Sequence, residues 1–280
     1  MLGKLIKYEF KATTQIFLLT YAVVVVLAGI NALILAMKPA TGSGADVLYA
    51  GASSIMTLLF GTAAFAAFLL TIVIIIVRFY RMLGDEGYLW FTLPVTPAQQ
   101  IFGKLIPAVV WTVTTTIVTL ASVGLATLHL KWFSQLGATW RALVAQRAHP
   151  GVWLVCFFVF MLASLLVNTM VFYTSMSWGP NLIKSSRLGG SVVAYIICYC
   201  GLEAVNLAGF LIMAKLFFDA VDALPSSHGT TLPDLTPQDW AAFNHVGAIF
   251  GSYFAVEYLV LAVVCFIITR YFLTRKLNLA

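Results

Sequence analysis

Two pairs of carboxylates carry what chemistry this chain could do. Glu203 and Glu257 stand inside stretches that otherwise hold apolar and small residues, and Asp85 and Glu86 stand side by side between Gly84 and Gly87. A charge near the middle of a bilayer costs at least about 2.5–3.5 kcal/mol, so each buried acid needs a compensating role. Two roles remain open for Glu203 and Glu257. They face a translocation path or a partner protomer, paired with Asn168, Asn206 or a protonated neighbour, or they are neutral acids hydrogen-bonded between helices.

Other reactive constellations are absent from the sequence. There is no Gly-x-x-x-x-Gly-Lys-Ser/Thr to cradle nucleotide phosphates, no His-Glu-x-x-His and no Gly-x-Ser-x-Gly. The four histidines, His129, His149, His228 and His245, lack ligand spacing, so no metal is expected. Cys156, Cys198, Cys200 and Cys265 all fall within apolar stretches and read as small packing residues rather than a redox or metal set.

The elements that must hold these groups are set by composition. Of the 280 residues 61% are hydrophobic and only 9% charged, and the mean hydropathy is +0.98, which excludes a water-soluble domain of this size. Stretches of roughly 20 apolar residues, the length that crosses a hydrocarbon core, recur near Ile16–Met37, Ser53–Val77, Ile101–Leu128, Gly151–Ser177, Leu188–Phe218 and Val246–Tyr271. Runs such as Thr71–Val77 are apolar on every face, which argues for helices against a barrel. The expected fold is an all-α polytopic membrane protein, a single transmembrane domain over 1–280 with six spans.

Flanking segments add detail. Over residues 1–14 a helical wheel puts Lys4, Lys7 and Lys11 on one side and Leu2, Ile6, Phe10 and Thr13 on the other, predicting an interfacial helix that turns into the first span. Glu9 interrupts that pattern; it either snorkels or meets a basic group on a partner. Eleven of the sixteen Lys and Arg residues lie on one side if both termini are cytoplasmic, whereas the segment 219–245 has acids and no Lys or Arg and reads as extracellular. The basic stretch Lys131 to Arg147 opposes this and reads as an amphipathic segment on the outer surface.

The segment 78–100 is the least lipid-like part of the chain. Gly84 and Gly87 permit a sharp turn that presents Asp85 and Glu86, and Tyr88, Leu89, Trp90, Phe91 and Leu93 follow as an aromatic and apolar wedge. Pro94 stiffens the exit, and Thr96-Pro97-Ala98-Gln99 has the form of a capping box that starts a helix. Such a loop is either a docking element or an ordinary interfacial belt of aromatics. Gly247-Ala-Ile-Phe-Gly251 is a small-x-x-x-small pattern suited to close helix packing, within the chain or between protomers.

The run Arg78-Phe-Tyr-x-x-Leu-Gly-Asp-Glu-Gly-Tyr-Leu-x-Phe-Thr-Leu-Pro-Val95, with Leu5-Ile-Lys-Tyr-Glu-Phe-Lys-Ala-Thr13 and Lys276-Leu-Asn-Leu279, resembles ABC transporter permeases of type 2, particularly a group common in Gram-positive bacteria. That resemblance implies an elbow helix ahead of six spans and a coupling loop between spans two and three formed by Gly84, Asp85, Glu86, Gly87, Tyr88, Phe91, Thr92, Leu93 and Pro94. It implies a transport subunit rather than an enzyme, placed in the bacterial cell membrane. ATP and Mg would sit on separate ATPase subunits, with no cofactor on this chain and no nucleic acid as partner. A second permease, identical or not, would complete the exporter, and the cargo would be a peptide, a drug or a lipid-like molecule. Two other classes fit the same residues: a membrane immunity or sensor subunit that moves nothing, and an ion-coupled transporter using Glu203 and Glu257.

Overall fold

The computed structural model describes residues 2–37, 45–84, 95–127, 132–145, 150–183, 186–222 and 237–275. All its regular elements are α-helices: α1 (Leu2–Ala36), α2 (Ala45–Leu83), α3 (Pro97–Ala126), α4 (Trp132–Ala145), α5 (Pro150–Leu182), α6 (Arg187–Asp222) and α7 (Pro237–Arg275). Six of them, all but α4, are long and apolar enough to cross a membrane. The chain is therefore a multi-pass, all-helical membrane protein, and each span expected from the sequence coincides with one of these helices, those expected to end at Met37 and Leu128 running one and two residues past the ends of α1 and α3. Large apolar residues such as Leu19, Leu48, Phe65, Leu120 and Val155 are exposed on them, as lipid-facing positions must be.

The contacts divide the chain into two compact units, Met1–Gln135 and Leu136–Ala280. In the first unit α1 packs along both α2 and α3, and α2 also meets α3. The buried residues of α1, Glu9, Thr13, Phe17, Tyr21, Val24, Ala28, Asn31 and Ala32, recur every three or four positions, so one stripe faces its neighbours over six turns. Val24 and Ala28 meet Phe60 and Ala67 of α2 and Ala126 of α3. The helix expected over 1–14 is present, but no turn separates it from the first span. At 1.5 Å per residue the 35 residues of α1 run about 52 Å, well beyond a hydrocarbon core of roughly 30 Å.

In the second unit α5 is the central packing element, lying against α6 and α7. Lipid tails offer no hydrophobic gain for helix association, so small residues that let backbones approach do that work. Gly179 of α5 lies directly on Gly190 and Ser191 of α6, where a Cβ on either glycine would overlap the other helix's backbone. Trp153 covers Gly247, and Cys156 packs on Gly251. The Gly247–Gly251 pattern thus serves contact within the unit. Thr174 joins the helices by polar bonds as well, pairing with Thr269 at 2.9 Å and donating to the Cys265 carbonyl at 3.1 Å. The cysteines are free thiols, and Cys198 and Cys265 pack around the Val167, Val171 and Leu202 cluster.

Helix α4 covers most of the basic segment assigned to the outer surface; among its described side chains nearly all are exposed.

Candidate functional site

Glu9 is 4% exposed, and the structure shows why an acid can occupy the inner stripe of α1. Its Oε2 accepts from Arg78 Nε at 2.7 Å and lies 2.7 Å from Arg78 Nη2, while its Oε1 accepts from Lys104 Nζ at 2.9 Å. Arg78 belongs to the end of α2 and Lys104 to the start of α3, so one carboxylate ties three helices. The sequence expectation for Glu9 is corrected here: it neither snorkels nor awaits a partner, but binds two cations of its own chain. Charge-assisted bonds of this length are strong, and a buried ion held by two opposite charges recovers much of its desolvation cost.

Leu5 packs against Gly103 one residue before Lys104, which lets α1 lie close on α3. Two turns further along α3, Trp111 stacks on Phe17 with ring centroids 4.3 Å apart and planes 11° from parallel. Its indole N–H donates to Thr13 Oγ1 at 2.9 Å, and Thr13 in turn donates to the Glu9 carbonyl at 2.9 Å. Tyr21 pairs with Thr115 at 2.8 Å, and Thr115 with Thr71 of α2 at 3.0 Å. These bonds give the first unit a polar seam in otherwise apolar spans. Sequence reading missed it; the signal was the set of Thr and aromatic residues sharing the stripe with Phe17 and Tyr21.

The clamp stands close to the ends of the two helices that flank the segment 84–96. Arg78 is five residues from the last residue of α2 and Lys104 seven from the first of α3, about 8 and 10 Å along the helix axes. Gly84 extends the last turn of α2, its N–H bonding to the Tyr80 and Arg81 carbonyls at 3.1 and 3.3 Å. Thr96 forms the expected capping box: its hydroxyl accepts from the Gln99 N–H, and the Gln99 side chain accepts from the Thr96 N–H. Asp85, Glu86, Gly87, Tyr88, Phe91, Thr92, Leu93 and Pro94 lie outside the described residues.

The intramembrane candidates of the second unit sit on two faces. Glu203 is exposed near the middle of α6, with Tyr199 one turn earlier on the same face. Glu257, near the middle of α7, has both carboxylate oxygens fully buried with no hydrogen-bond partner, packed against Gly209 of α6 beside the Tyr253 hydroxyl. The Asn206 Oδ1 is buried with no hydrogen-bond partner. Asn206 lies one turn from Glu203 and one turn from Gly209, against which Glu257 packs, and this brings Glu203, Glu257 and Asn206 into one neighbourhood. Asn168 does not join them; its amide donates to the Ser164 carbonyl and hydroxyl of its own helix.

Among the described residues no three His, Cys, Asp or Glu side chains converge as metal ligands would. The arrangement holds helices in place and presents acceptors. No family model, curated protein or solved structure matches the chain.

Proposed function

We propose that this chain is the membrane-spanning permease subunit of an ATP-driven exporter of the ABC type. It sits in the bacterial cell membrane with both termini in the cytoplasm, pairs with a second permease, and is worked by separate ATPase subunits that bind ATP and Mg. The segment from Gly84 to Pro94 is the handle those subunits grip.

The observation that carries this reading is the clamp of Glu9 on Arg78 and Lys104. Moving a two-state equilibrium from 1:99 to 99:1 requires about 5.5 kcal/mol, and a handle on loosely held helix ends would dissipate that work. Buried ionic bonds behind the loop, with a capping box at its exit, stiffen both of its roots. Motion delivered there reaches α1, α2 and α3 together. The resemblance of the loop sequence to type 2 permeases agrees with this role.

The test is purification of the tagged chain from native membranes, followed by vanadate-sensitive ATP hydrolysis in the eluate. The wild-type chain brings an ABC ATPase with it, and Asp85→Lys with Glu86→Lys does not. Thiol labelling of single cysteines at positions 85–94 from the outer side only, or a wild-type eluate without ATPase, overturns the proposal.

A further inference from the structure

The two units treat the acids of their apolar helices in opposite ways. Glu9 has two cations for one carboxylate. Glu203 and Glu257 have none: between Gly151 and Leu182, Leu188 and Ala214, and Val246 and Thr269 the sequence contains no Lys, Arg or His. The second unit's spans therefore hold two mid-membrane carboxylates and no base of their own. A charge so placed is costly unless something positive joins it.

The surrounding groups are also short of donors. Both Glu257 oxygens and the Asn206 Oδ1 are buried with no hydrogen-bond partner. Glu203 lies on the exposed face of α6. A buried acceptor without a donor is unfavourable by about 1–3 kcal/mol, more when charged, so several together mark a place that a donor-bearing cation would stabilise. The approach to it is apolar, with Ile196 54%, Leu207 59% and Phe210 51% exposed on the face of α6 that carries Glu203.

We propose that Glu203 and Glu257, with Asn206 between them in the sequence of α6 and α7, form a binding site for an amphiphilic ammonium ion. The cation is held at the exposed Glu203 carboxylate, its N–H groups turn inward to Asn206 and Glu257, and its hydrocarbon part lies along the apolar face of α6. Naming this ion as the cargo rests on the exporter reading; the binding itself does not.

Equilibrium binding of rhodamine 6G, a lipophilic cation carrying N–H donors, to the purified chain in lipid nanodiscs tests the site, with empty nanodiscs subtracted. Saturable binding is expected, displaced by dodecylammonium and not by dodecanol. Glu203→Gln and Glu257→Gln, near-isosteric and checked for helicity and monodispersity, should each weaken it by about tenfold or more. If neither Gln variant weakens binding, if dodecanol displaces the dye as well as dodecylammonium does, or if the wild type shows no saturable component, the site is refuted. Because no ATPase is present, loss of ATPase association in the Asp85 and Glu86 variant leaves this result untouched, and the two failures are distinguishable.

Discussion

Lys104 Nζ and Glu9 Oε1 lie 2.9 Å apart, with side chains 6% and 5% exposed, across 95 residues of sequence. This bond and its counterpart from Arg78 fix where α2 ends and α3 begins. Breaking a buried ion pair from one side leaves an uncompensated charge, and here it leaves two of the same sign. Glu9→Ala should therefore destabilise the chain by about 3–5 kcal/mol. Glu9→Leu combined with Arg78→Leu and Lys104→Met should recover most of that loss, since apolar replacement of a whole buried cluster is often neutral. Denaturant unfolding in mixed micelles, followed by circular dichroism, measures both; equal destabilisation of the single and triple variants would contradict the account.

Trp111 offers a graded version of the same test. Trp111→Phe keeps a ring on Phe17 but removes the N–H that Thr13 accepts, an expected loss of about 1 kcal/mol. Trp111→Ala removes the stack as well and should cost about 3–5 kcal/mol. A Phe variant as unstable as the Ala variant would place the energy in the hydrogen bond instead.

Two glycines separate close approach from mere smallness. Gly190→Ala puts a methyl group into the Gly179 carbonyl of the neighbouring helix, where only backbone movement relieves it, so the thermal midpoint should fall by several degrees. Gly61 has open space around it, and Gly61→Ala should be neutral or stabilising by up to about 1 kcal/mol through helix propensity. Thermal scans of the two variants side by side decide it.

The capping box predicts a local effect. Thr96→Ala should cost about 1 kcal/mol and speed amide exchange over Gln99 and Gln100, while Thr96→Asp restores protection. Exchange rates unchanged by Thr96→Ala would show that the first turn of α3 is held by its neighbours rather than its cap.

How far the sequence could be read depended on the range of each interaction. The six spans follow from apolar length, a local property, and Thr96 with Gln99 follows from spacing within one turn. Glu9 stood out as a misfit for the same local reason, but its partners lie 69 and 95 residues away, and no periodicity within α1 points to Arg78 or Lys104. The unbroken course of α1 was also hidden, because a lysine stripe over Lys4, Lys7 and Lys11 reads alike on an interfacial helix and on the protruding end of a span. Glu203 and Glu257 were visible as costly acids. That one is exposed and the other sealed against Gly209 depends on how α6 and α7 turn toward each other, which the apolar composition of both helices leaves undetermined.

Synthesis runs from the N-terminus, so Glu9 leaves the ribosome long before either cation that neutralises it. Until the end of α2 supplies Arg78, the nascent α1 carries a solitary acid on the stripe meant for its neighbours, and until α3 supplies Lys104 one oxygen of that acid still lacks its cation. A chain cut short before Arg78 would keep that acid uncovered, giving cellular surveillance a chemical mark by which an unfinished first unit differs from a completed one.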